Sequence, residues 1–257
     1  MFSISSLLSV VAWIAACASA PAEKRATPTL WLVGDSTMAL HAASEGIQGW
    51  GVEIVNYLQA INVVNSAVSG TSARSYARDG WFYNLIQKVQ SGDYVIIEFG
   101  HNDGGGNVTA SATADLVGES LTATQTVTLA NGSVEVVHTY TYAGMIDQIV
   151  AKGATPIVSS QTPDDPYENS TTIVYEPSRS VAYVDHFTAA VSLFSKYTAA
   201  VVNSYYPLDQ YLHTNTAGAT QMAWAFLSGL RCASADGVLA SYVNSAGEGA
   251  GARCSYP

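Results

Sequence analysis

The chain has 257 residues, of which 48% are hydrophobic and 12% charged. That is enough apolar material for one substantial core and too little charge for a disordered chain or a coiled coil. The formal net charge of −10 attracts neither nucleic acid nor an anionic membrane surface, so both are excluded as expected partners.

Residues 1–20 read as a signal peptide, with the apolar run Leu7–Ala16 before the small-residue site Ala18-Ser19-Ala20. The run is too short for a comfortable transmembrane helix, and no second stretch of about 20 apolar residues follows. Pro21 disfavours a cut directly before it, whereas Lys24-Arg25 offers a dibasic processing site. Residues 21–25 are therefore expected to be a propeptide, and 26–257 a single secreted, extracellular domain. Processing there leaves 8 basic against 19 acidic side chains, a net charge of −11. Such a field sits awkwardly with a polygalacturonate-containing ligand at neutral pH, and acidic surroundings would relieve it. Solubility accounts for the acidity equally well.

Apolar runs bounded by turns mark buried parallel strands at Thr29–Val33, Ile61–Asn65, Tyr94–Phe99 and Thr155–Ser159. Helical spacing appears at Trp50–Gln59, Phe82–Gln90 and Tyr142–Lys152, the last stopped by Gly153, and most clearly at Thr216–Leu230. Strands alternating with helices predict a three-layer α/β/α fold with a mainly parallel central sheet. Between residues 104 and 139 the pattern changes. Thr124–Leu129 and Ser133–Thr139 alternate around Asn131-Gly132, which predicts a small β-hairpin insertion near 120–140. It is either a wall of a substrate cleft or a surface ornament.

Of the three cysteines, Cys17 leaves with the signal peptide, so Cys232 and Cys254 are expected to form a disulfide pinning the C-terminal tail. Two cysteines and scattered histidines offer no metal-ligand spacing. Asn107, Asn131 and Asn169 each open an N-glycosylation sequon.

Three short blocks follow predicted strands, where ligands of open α/β sheets bind: Gly34-Asp35-Ser36-Thr37, Ser69-Gly70, and Gly100-His101-Asn102-Asp103. A fourth, Asp209 followed by His213, precedes the C-terminal helix. Alone, Ser36 is most simply a helix cap, Gly70 a turn glycine, Asn102 an Asx-turn residue and Asp209 a solvated carboxylate. Together they supply the parts of an acyl-transfer site. Ser36 is the nucleophile, His213 its general base and Asp209 the group orienting the imidazole. The backbone N–H groups of Ser36 and Gly70 and the Asn102 amide form an oxyanion hole. His41, His101, His138 and His186 are the competing histidines. Trp50, Trp81, Tyr76 and Arg74 read as core or anchoring residues rather than sugar contacts.

The four blocks in this order resemble the SGNH (GDSL-type) hydrolases. Within that superfamily the runs LVGDSTMA, VVNSAVSGTSARSYARDGWF, GDYVIIEFGHNDGG, SSQTP, VNSYYPLD and HTNTAGA resemble the fungal rhamnogalacturonan acetylesterases, over most of residues 28–232. The resemblance implies a serine esterase removing O-acetyl groups from plant cell-wall polysaccharide through an acetyl-enzyme. It implies no cofactor, and the polysaccharide itself as the partner of a monomer. Acetylxylan, another carbohydrate or lipid ester, and a catalytically impaired glycan-binding relative remain alternatives. Two departures stand out. The family spaces its Asp three residues before the His, a position held here by Gln210, while Asp209 stands four before. The family also carries a helix before the equivalent of Tyr183-Val184-Asp185-His186, and residues 161–180 show no helical period. The cysteine pair that relatives place in the hairpin insertion is absent as well.

Overall fold

Alternation along the first strand sets the architecture. The computed structural model describes residues 27–104, 107–116, 120, 122–139, 141–167, 183–208, 211–232 and 239–249. Its strands are β1 (Thr29–Gly34), β2 (Asn62–Asn65), β3 (Tyr94–Glu98), β4 (Thr124–Thr128), β5 (Val134–His138), β6 (Thr155–Ser159) and β7 (Tyr183–Val184). In β1, Leu30 and Leu32 point into one core while Trp31 and Val33 point into a second on the opposite face. Successive side chains of a strand face opposite sides, so a strand buried on both must be apolar throughout. Ile96 in β3 joins the first core, and Val95 and Ile97 join the second.

The helices cover these two faces. They are α1 (Trp50–Glu53), α2 (Ala73–Arg78), α3 (Trp81–Ile86), α4 (Thr141–Ala151), α5 (His186–Phe194), α6 (Ala199–Asn203), α7 (Thr216–Cys232) and α8 (Ser245–Gly249). Trp50, Phe194 and Phe226 of α1, α5 and α7 fill the first core; Tyr76, Phe82, Leu85 and Met145 of α2, α3 and α4 fill the second. The result is the expected three-layer α/β/α arrangement. Its five-stranded sheet runs β2-β1-β3-β6-β7, every pairing parallel. The chain moves from β1 outward to β2, then returns to lay β3 on the other side of β1. The carboxyl ends of β1 and β3 are thus the switch point at which open α/β sheets leave a crevice.

Several expectations needed adjustment. The strand expected to be buried at Ile61–Asn65 is the edge strand β2, whose residues alternate between exposed and half-buried because one side of it has no neighbouring strand. The helix expected over Trp50–Gln59 is one α-turn followed by a 3₁₀ turn, Ile54–Tyr57. Trp81, expected in the core, is 46% exposed. It opens α3 directly after Gly80, whose φ is +82°, and the inward face is already taken by Phe82, Leu85 and Ile86. Beyond β6, the sheet is completed by only a two-residue edge strand, pairing Tyr183 with Val158 and Val184 with Ser159. Most of the segment expected to lack a helix, 168–180, lies outside the described residues, as do the signal and propeptide segment and Asn169.

The hairpin forms as expected, β4 against β5, pairing Thr124 with His138. Val127 and Val137 close a small third core with Val108 and Ala114. Arg74, 3% exposed, fastens this insertion to α2. Its guanidinium grips Glu135 of β5 through Nε (3.0 Å) and Nη2 (2.8 Å) and donates through Nη1 to the carbonyls of Val108, Ser111 and Ala114. Such a planar fork suits bidentate pairing with a carboxylate, and it places Arg74 in an anchoring role. Asn107 and Asn131 are exposed on this insertion. Cys232 is disulfide-bonded at the end of α7, and Cys254 lies outside the described residues. Among the described residues, no helix is long and apolar enough to cross a membrane.

Candidate active site

Ser36 stands two residues past β1, in a turn that requires a close approach of backbone. A β-carbon at Gly34 would lie 2.6 Å from the Glu98 carbonyl oxygen and 2.9 Å from Met38 Sδ. A side chain there would push β1 from β3, so glycine is demanded by contact rather than by flexibility. Asp35 Oδ1 accepts from the Thr37 N–H and hydroxyl, both at 2.9 Å, a local capping pattern that locks the turn. Burial raises the Asp35 pKa, partly offset by the nearby His101 charge.

Backbone and side-chain bonds stitch the blocks together. The Val68 N–H donates to the Gly34 carbonyl at 2.9 Å, extending the β2–β1 pairing past the strand ends. The Thr71 hydroxyl donates to the Val68 carbonyl at 2.8 Å, and Asn102 Nδ2 donates to the Thr71 carbonyl at 3.0 Å. Asn102 keeps one further N–H on that amide. Gly70 adopts φ +76°, and a β-carbon there would meet no atom within 4 Å. Its backbone is left-handed, a conformation that glycine takes without steric cost, and the space beside it is open. The next residues start α2, whose Ser72 hydroxyl accepts from the Ser75 N–H.

His213 arrives from the other side of the crevice. Its Nε2 lies 2.7 Å from Ser36 Oγ across 177 positions of sequence. The residue after it is held by the Gln48 N–H donating to the Thr214 carbonyl at 2.7 Å. Burial holds the His213 pKa below the ordinary histidine value. The charges of His41 and His101 add to that, and Glu45 pulls weakly the other way. A half-buried imidazole with a lowered pKa, facing a hydroxyl, can take its proton. Asp209 and Gln210 lie outside the described residues. The following Tyr211 has φ +54°, where a β-carbon is costly. This left-handed residue sits between Asp209 and His213, in the segment whose spacing departs from the family's.

The other histidines differ sharply in their surroundings. His101 Nε2 pairs with the Thr162 hydroxyl at 3.1 Å. His186 is fully buried, with Nδ1 at 2.8 Å from Glu98 Oε2 and Nε2 at 2.8 Å from the Met222 carbonyl. Glu98 accepts from Trp50 Nε1 (2.8 Å) and the Ser159 hydroxyl (2.5 Å) as well. This satisfied cluster ties β3, β6, α1, α5 and α7 beneath the site, and it was not legible in sequence because its members share no spacing. His41 is the one rival histidine at the nucleophile itself: its Nε2 lies 2.7 Å from the Ser36 carbonyl oxygen and its Nδ1 3.1 Å from Glu45 Oε2. The His41–Glu45 spacing of four residues was its only sequence signal. Among the described residues, no group of three or more His, Cys, Asp or Glu side chains could hold a metal ion.

A parallel sheet with a Ser–His pair at its switch point, faced by a glycine turn and an Asn amide, is the architecture of a GDSL-type hydrolase. The chain belongs to the GDSL-like lipase/acylhydrolase family, whose model matches residues 32–221. It is 38% identical over 220 residues to the rhamnogalacturonan acetylesterase of Emericella nidulans, covering 79% of this chain and 85% of that one. It is 22% identical over 222 residues to a probable rhamnogalacturonan acetylesterase of Bacillus subtilis, covering 79% and 92%. The fold is similar to that of the solved Bacillus subtilis protein YXIM, with a TM-score of 0.57 and 20% identity, covering 80% of this chain and 56% of that one.

Proposed function

We propose that the protein is a secreted serine esterase that removes O-acetyl groups from rhamnogalacturonan. Ser36 Oγ attacks the acetyl carbonyl carbon while His213 Nε2 takes the hydroxyl proton. The resulting oxyanion is met by the N–H groups of Ser36 and Gly70 and the remaining Nδ2–H of Asn102. Collapse breaks the bond to the sugar oxygen, which leaves with the proton from His213. Water, deprotonated by His213, then attacks the acetyl carbonyl on Ser36; collapse breaks the bond to Ser36 Oγ, to which His213 returns the proton, and releases acetate. Asp209 orients the imidazole in this scheme.

The observation carrying the reading is the 2.7 Å approach of His213 Nε2 to Ser36 Oγ. The substrate rests on the acetylesterase relative at 38% identity. Acid quenching during turnover of an aryl acetate, followed by peptide mass analysis, tests the mechanism. An acetyl group on the peptide containing Ser36 is expected, accumulating on Asp209→Asn more slowly than on the wild type. Turnover with acetyl on no residue, or unchanged by loss of the Ser36 hydroxyl, would remove Ser36 as nucleophile.

A further inference from the structure

His41 touches both halves of the reacting pair. Through Nε2 it meets the carbonyl oxygen of Ser36 at 2.7 Å, and its ring packs edge-on against His213, with centroids 5.8 Å apart and planes at 68°. Through Nδ1 it meets Glu45 Oε2 at 3.1 Å. Glu45 in turn accepts on Oε1 from the Ala42 N–H at 3.0 Å. The same loop is tied to the base: the His41 N–H donates to Gln48 Oε1 at 3.2 Å, and the Gln48 N–H donates to the Thr214 carbonyl. His41 itself is 8% exposed.

We propose that His41 is a positioning residue of the esterase site, clamping the Ser36 peptide and bracing the His213 ring so that nucleophile and base stay aligned. The inference rests on the esterase reading above. The Ser36 carbonyl and its Oγ hang from the same Cα. Fixing the carbonyl therefore fixes rotation about the Ser36 Cα–C bond and limits where the turn can carry Oγ and the Ser36 N–H. Losing the clamp leaves a buried carbonyl unpaired, which the turn relieves by rotating. A displacement of about 1 Å in such a site costs up to about 100-fold in rate.

The clamp has a second consequence. The His41 ring faces an acceptor at each nitrogen, the Ser36 carbonyl and the Glu45 carboxylate. Burial is the main cause that lowers the His213 pKa, and the electrostatic influence of the His41 ring adds to it. The groups acting on His213 are His41, His101 and Glu45 among the described residues. Removing the His41 ring takes that influence away and raises the His213 pKa, and activity needs His213 neutral. The acidic limb of the rate profile then moves to higher pH.

The test compares wild type, His41→Phe and His41→Gln in two assays. One is hydrolysis of an aryl acetate as a function of pH. The other is the rate at which diisopropyl fluorophosphate phosphorylates Ser36, read by intact mass, which probes alignment of the nucleophile without any acetyl substrate. The expected result for His41→Phe is a loss of about 10- to 100-fold in kcat and in phosphorylation rate, with KM changed by less than about twofold. His41→Gln, whose amide can still donate to the Ser36 carbonyl, is expected to recover most of both rates while its acidic limb sits at higher pH. A merely structural role predicts no such split. Equal reactivity of His41→Phe and wild type, a loss confined to KM, or a His41→Gln variant as impaired as the Phe variant would overturn the inference. A wild type that ignores acetyl esters yet phosphorylates at Ser36 would refute the substrate reading alone, leaving His41 to be judged by the phosphorylation rates. A wild type unreactive at Ser36 would overturn both.

Discussion

Ser36 and His213 are brought within 2.7 Å across 177 positions of sequence, and each neighbour of that pair has a separable job. Asn102 shows this best. One of its amide hydrogens is committed to the Thr71 carbonyl, which leaves the other for an oxyanion. Asn102→Ala is therefore expected to lower kcat by about 10²–10³-fold with little change in KM. Steady-state kinetics on an aryl acetate checks it; an unchanged kcat would mean that Asn102 only ties two loops together. Residues of this kind were legible in sequence because chemistry restricts the choice of side chain and because each follows a strand. His41 was not. Its partner at the site is a backbone carbonyl, and an atom that every residue carries leaves no mark in the sequence. Glu98 and His186 escaped for a related reason: 88 positions separate them, and only the packing of β3 against α5 and α7 joins them.

At the scale of elements, β1 to β6 and the helices α4 and α7 were read from periodicity, while β7, α5 and the interruptions were not. The stretch starting at Trp50 turns into a 3₁₀ helix after Glu53 and ends at Leu58, whose backbone is extended and bridges Val243, although Trp50, Ile54 and Leu58 all reach the same core. Apolar spacing alone does not reveal where such a helix stops. The insertion was legible from alternation around Asn131-Gly132; its attachment was not, since Arg74 bonds mainly to carbonyls and to one distant carboxylate. Where the insertion leaves the site block, Asp103 and Asp115 lie together. Burial pushes Asp103 up to about 8, helped by its acidic neighbour, and Asp115 up to about 6. Both folded values lie above the unfolded value near 4, so the folded state holds protons that the unfolded state has released across this window. Stability from this pair is present below about pH 4 and is lost as pH rises through about 6 to 8. Thermal unfolding should therefore show Tm falling from pH 5 to pH 8, with a shallower fall for Asp115→Asn. An identical slope in the two proteins would contradict the assignment.

On the scale of the whole molecule, a net charge of −10 over the full chain opposes the approach of the proposed substrate, rhamnogalacturonan, which carries galacturonate groups. Salt screens such repulsion over roughly 8–10 Å at physiological strength. Raising salt from about 10 mM to about 150 mM is expected to lower KM for the acidic polymer and to leave KM for a neutral aryl acetate unchanged; a matching response in both substrates would assign the effect to the protein's stability instead. The parallel sheet places the Ser–His pair at its switch point, and that placement together with the acetylesterase relative is the reason for looking to this polymer. The most direct measurement is acetate release from acetylated rhamnogalacturonan beside acetylated xylan, by the wild type and by Ser36→Ala. The account predicts release from rhamnogalacturonan in preference to xylan, and a loss of about 10⁴-fold or more in the variant. Release surviving in Ser36→Ala, or none from either polymer by folded wild-type protein, would contradict it.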